Sequence, residues 1–124
     1  MSMETFASQM RVLSACIYDK QRDLASWQKV LAEHKQSLSE IELEAAIIAQ
    51  NAPGATSDTK RKLAQETFLR DHKDYSYLLG IKNVTIETIA KETAEFEHWL
   101  RQFRILELQC KATIAVGAYL PASK

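Results

Sequence analysis

One stretch of this chain carries the chemistry of a turn: NAPGATSD, residues 51–58, with Pro53 and Gly54 at its centre. Proline lacks a backbone donor and glycine tolerates left-handed backbone, so together they mark a break. Roughly 50 residues precede it and roughly 60 follow, with no comparable punctuation. The chain has three Gly and two Pro, and Pro121 stands near the end. A strand-and-turn fold needs turn chemistry every few residues and is excluded by that scarcity. Long helices remain.

The first segment supports helix by period. Alternating steps of four and three from Phe6 give Met10, Leu13, Ile17, Lys20, Leu24, Trp27, Leu31, His34, Leu38, Ile41, Ala45 and Ile48. Ten of these thirteen positions are large apolar or aromatic. The steps average the 3.5-residue repeat of a coiled-coil seam. The second segment repeats the pattern through Phe68, His72, Tyr75, Leu79, Lys82, Ile86, Ile89, Thr93, Phe96, Leu100 and Phe103. Gly80 lies off this seam and costs a helix about 1 kcal/mol relative to Ala. Gly80 to Asn83 is the place where the second helix is open to interruption, with Asn83 able to cap a new start.

Folding the chain back at the turn brings the two seams together. Phe6 then faces Phe103, Leu13 faces Phe96, Lys20 faces Ile89, Trp27 faces Lys82, and His34 faces Tyr75. The period and the turn are independent readings, and they agree on an all-α antiparallel hairpin. The expected organisation is a single helical domain over residues 1–124. A helix spans about 4–50, a turn 51–58, a helix about 58–118, and a tail 119–124. Asn51 or Gly54 ends the first helix, and Ser57 or Asp58 caps the second. Two helices enclose no core, and apolar residues at Val30, Leu78, Trp99 and Leu106 widen the stripe beyond a strict seam. Dimerisation into a four-helix bundle is the expected remedy, as a homodimer or higher oligomer.

Composition narrows the partners. Hydrophobic residues at 46% and charged residues at 26% describe a globular or coiled-coil chain. Sixteen basic residues balance sixteen acidic ones, so no net charge draws the chain to nucleic acid or to a membrane surface. Cys16 and Cys110 lack metal-type spacing and read as thiols in a reducing compartment. The N-terminus shows no signal-peptide pattern, and ATIAVGAYL is about half a membrane span. A cytoplasmic protein is expected.

Few residues suggest chemistry. Glu95 and His98 have the spacing of a bundle metal site, but Phe96, Leu100 and Phe103 claim the seam and turn them to solvent. His34, His72 and Tyr75 come together in the register above as a polar layer that fixes alignment. Lys82 opposite Trp27 predicts a cation–π contact. Lys60, Arg61 and Lys62 form a basic run in the first turn of the second helix, against the helix dipole. Arg101 and Arg104 beside Trp99 and Phe103 mix bases with aromatics, as single-strand binders do. No phosphate loop or nucleophile motif occurs, so no catalytic, cofactor or metal residues are expected.

The register leaves an overhang. With Met3 opposite Leu106, the segment from Glu107 onward has no partner in its own hairpin, and Gly117 with Pro121 sets its end. The candidate partner-binding residues are Leu108, Ile114, Tyr119 and Leu120 there, with Trp99, Leu106 and Leu78 on the flank. Lys60, Arg61 and Lys62 are the candidate basic patch. The expected function is a non-enzymatic coiled-coil interaction protein, serving as adaptor, chaperone or assembly subunit. The alternatives are a small nucleic-acid-binding subunit of a nucleoprotein complex and an amphipathic lipid- or granule-surface protein.

Overall fold

The computed structural model describes residues 2–54 and 56–119 and contains an all-α helical hairpin. Among these residues three helices form: α1 (Met3–Gln50), α2 (Asp58–Asp71) and α3 (Lys73–Tyr119). No strand occurs among them. α1 holds neither Gly nor Pro. Its start is capped by Ser2, whose Oγ accepts the Thr5 N–H at 3.2 Å. At its end the Asn51 side chain donates to the Ile47 carbonyl at 3.0 Å, satisfying one orphan acceptor. Gly54 then takes the left-handed conformation, φ 79°, that lets the chain reverse. Ser57 caps α2, its Oγ accepting the Lys60 N–H at 3.2 Å.

The second helical segment is interrupted at His72, eight residues before Gly80. α3 runs unbroken through Gly80 and Asn83. His72 is extended, φ −76° and ψ 117°, and its N–H still donates to the Leu69 carbonyl. Its Nδ1 accepts the N–H groups of Asp74 at 3.2 Å and Tyr75 at 3.3 Å. One imidazole thus fills the acceptor role of an N-cap for α3. Gly80 stays helical because one glycine costs only about 1 kcal/mol against the bonds on either side. Gly117 likewise stays helical, and α3 extends to Tyr119.

The chain packs as two units. In the unit of Met1–Ala25 with Ala90–Lys124, Phe6 is buried at 3% exposure, and Lys20 is buried about four helical turns further along the same seam. In the unit of Ser26–Ile89, Leu38, Ala45, Ala49 and Thr85 are buried. Thr85 satisfies its hydroxyl by donating to the Ile81 carbonyl at 2.9 Å. Most predicted seam positions of both long helices are buried or half-buried. Two neighbours trade places: Ala49 is buried where Ile48 was expected, and Thr85 where Ile86 was expected. Trp27 also stays partly open, at 37% exposure.

Observed contacts lie about one helical turn beyond the predicted pairs. Lys20 reaches Glu92 and Glu95 rather than Ile89 alone, and Met3 Sδ lies 4.0 Å from Cys110 Sγ rather than opposite Leu106. Side chains on a helix lean toward its N-terminus. In an antiparallel pair both leans shift contacts the same way, toward higher numbers on each facing helix. The prediction counted Cα levels and omitted this lean.

Candidate functional site

Lys20 sits in the seam of the first unit, where the sequence calls for an apolar residue. Its Nζ donates to Glu92 and, at 2.9 Å, to Glu95, and it lies 5.1 Å from the centre of the Trp99 ring. Glu92 and Glu95 are one turn apart on α3, so both carboxylates present to one ammonium. Hydrogen bonds to Glu92 and then Glu95 push the Lys20 pKa up to about 12, against a smaller opposing effect of burial. The hydrogen bond from Lys20 holds Glu95 below the usual carboxylate range. The two carboxylates compensate the charge of the buried ammonium.

The cation–π contact across the hairpin seam of the first unit is Lys20 with Trp99, and Arg22 lies 6.0 Å from the Tyr18 ring centre on the outside of α1. The predicted pairing of Lys82 with Trp27 does not form among the described residues, since Trp27 opens instead onto a groove. Glu95 is exposed, as its place off the seam implied, but it turns to Lys20 rather than toward His98. No cluster of metal-ligating side chains occurs among the described residues.

The predicted polar layer of His34, His72 and Tyr75 is divided among three tasks. His72 caps α3 and lies against Phe68, ring centres 5.6 Å apart. Tyr75 donates its hydroxyl to Glu42 at 3.2 Å, and burial followed by that bond raises its pKa. His34 lines the groove with Trp27, Val30, Tyr77, Gly80 and Val84. This groove of about 540 Å³ lies wholly in the second unit.

The basic run does not act as one patch. Arg61 folds back, its Nε donating to the Ser57 carbonyl and its guanidinium 3.4 Å from Asp58. Lys60 and Lys62 are exposed and line separate grooves. Capping the helix start consumes the middle cation.

The candidate docking residues separate into two groups. Leu78, Trp99 and Leu106 are half-buried within their own units. With Thr85 and Glu92 they form a heptad column one residue before the predicted seam, disguised in the sequence by its two polar members. Leu108 and Ile114 are exposed, at 66% and 55%. Every residue from Lys111 to Gly117 is exposed. The free segment therefore starts at Lys111 rather than Glu107, because Glu107 and Cys110 are half-buried. Tyr119 ends α3, and Leu120 lies outside the described residues.

A second heptad line runs along α3 and was missed by the sequence reading. Tyr77, Gly80 and Val84 begin it, and Ile105, Leu108, Ala112 and Ala115 close it at the same alternating three–four spacing. Between them stand Glu87, Lys91, Ala94, His98 and Arg101. All these positions are exposed. The polar centre hid the line, since its two apolar blocks are separated by some six turns.

The chain matches no protein-family model, no curated protein and no solved structure in the comparisons made. The functional reading rests on the geometry above.

Proposed function

We propose that this chain is a non-enzymatic coiled-coil interaction protein, an adaptor, chaperone or assembly subunit, acting in the cytoplasm through extended helical faces. One observation carries the reading. The last turns of α3, from Lys111 to Gly117, are exposed on every side while presenting Ile114 and Val116 to solvent. Their nearest charges, Glu107 and Lys111, are already paired at 3.1 Å. A helix that is apolar all round is a buried helix. A protein surface is the cover this reading assigns.

A photo-crosslinking residue at position 114, introduced in the native cell, tests the class of partner. Covalent adducts with protein are expected. Adducts confined to lipid or to nucleic acid would overturn the reading in favour of a surface-coating or nucleoprotein role.

A further inference from the structure

The second helical segment breaks at His72 without a residue that breaks helices. No Gly or Pro stands between Gly54 and Gly80. An uninterrupted helix would give the Asp74 and Tyr75 N–H groups the carbonyls four residues back. Here both donate to His72 Nδ1, at 3.2 and 3.3 Å. With Lys73 opening α3, these are the second and third helical positions, the donors that an N-cap side chain satisfies. His72 also closes α2, its own N–H donating to the Leu69 carbonyl at 3.3 Å. One residue ends one helix and starts the next.

Imidazole is a cap whose acceptor a proton can remove near neutral pH. A ring that accepts at Nδ1 carries its hydrogen on Nε2. Protonation adds a hydrogen at Nδ1, and the imidazolium has two donors and no acceptor. Both hydrogen bonds to α3 then end together, and the two amide N–H groups face a third N–H. In ordinary surroundings histidine gains this proton between about pH 8 and about pH 5.

We infer that His72 is a pH-sensitive latch at the α2–α3 junction: the neutral ring caps the first turn of α3, and the protonated ring releases it. The junction lies wholly within the second unit. The surrounding charges act in both directions. Asp71 and Asp74 favour the imidazolium, and Arg70 and Lys73 oppose it; Arg70 already lies 3.4 Å from Asp71. From α1, Glu42 accepts from the Tyr75 hydroxyl and Glu44 is exposed. Burial and the bond to Glu42 push the Tyr75 hydroxyl above its ordinary range, so it carries no charge here. The C-terminal end of α2 favours a positive ring, and the N-terminal end of α3 opposes it. No carboxylate forms an ion pair with the ring among the described residues. These groups set the pH at which the latch turns. They leave the Asp74 and Tyr75 N–H groups to the imidazole. α2 has no buried residue, so it has little packing to offset a loosened end.

NMR of the full chain tests the inference. The His72 ring shifts report its own titration. Amide protection at Asp74 and Tyr75, taken as exchange relative to the unstructured rate, should fall about fivefold as that ring gains its proton, the weight of one helix cap. The fall should follow His72 and not His34 or His98. His72→Asn keeps a capping oxygen that does not titrate. Its protection at the two amides should stay level from about pH 8 to about pH 5. Protection that stays level in the parent while His72 titrates, a ring that stays neutral down to about pH 5, or an equal fall in the Asn variant would each overturn the inference. If the Asn variant fails to fold, the match between ring and amides in the parent still decides.

Discussion

Lys20 and Glu95 meet at 2.9 Å across the hairpin, 75 residues apart in sequence, and hold a charged side chain inside an apolar seam. The contact has a sign in pH. Lys20 is raised to about 12 by hydrogen bonds to Glu92 and Glu95, so its contribution is whole below the ordinary 10.5 and lost as pH rises through about 12. Glu95 is lowered by its hydrogen bond to Lys20, so its contribution is whole above 4.5 and lost as pH falls below that value. The pair is at full strength from about 4.5 to 10.5. Urea midpoints should fall below pH 4.5 in the parent, and Glu95→Gln should start lower at neutral pH and fall less. Superimposable pH curves would remove Glu95 from the account.

The buried seam positions should dominate stability. Phe6→Ala and Leu38→Ala should each cost about 2–5 kcal/mol, because both side chains are nearly sealed from water. Leu24→Ala and Leu31→Ala should cost less, since both residues are half-buried. Denaturant titration orders these variants, and an equal loss at all four sites would contradict the burial pattern.

His72 gives a local test. Replacing it with Ala removes the acceptor for the Asp74 and Tyr75 N–H groups and should cost about 1 kcal/mol. Asn, which is itself a good cap, should recover much of this. Hydrogen exchange at those two amides should quicken in the Ala variant and not at Gly80. Unchanged exchange at positions 74 and 75 would mean the imidazole is no cap.

Much of this architecture was legible in the sequence, and the failures have physical causes. The seam was visible because Phe6, Leu38 and Ala45 obey a period that a helix imposes on burial. Lys20 looked like an interruption because periodicity scores hydrophobicity alone. The signal that resolves it, Glu92 and Glu95 one turn apart on the facing helix, belongs to pairing. The break at His72 was missed because histidine is a rare cap and the eye goes to Gly80. The outward line of α3 is hard to see in the sequence because its apolar blocks are short and Glu87, Lys91, His98 and Arg101 stand between them.

Gly80→Ala tests the helix alone. With nothing within 4 Å of the new methyl, helix propensity should make the chain about 1 kcal/mol more stable. Thermal melts check this, and a variant that melts at or below the parent would contradict an open helical site at Gly80.

We propose that the exposed last turns of α3, Lys111 to Gly117, are covered by another protein chain. Photo-crosslinking from position 114 in the native cell, with and without Val116→Asp, tests this. Val116 is 60% exposed, so the helix should tolerate the substitution, with helical content unchanged by circular dichroism. Protein adducts that form in the parent and are lost with Val116→Asp are expected. Adducts confined to lipid or nucleic acid, or protein adducts that Val116→Asp leaves as they were, would contradict that role.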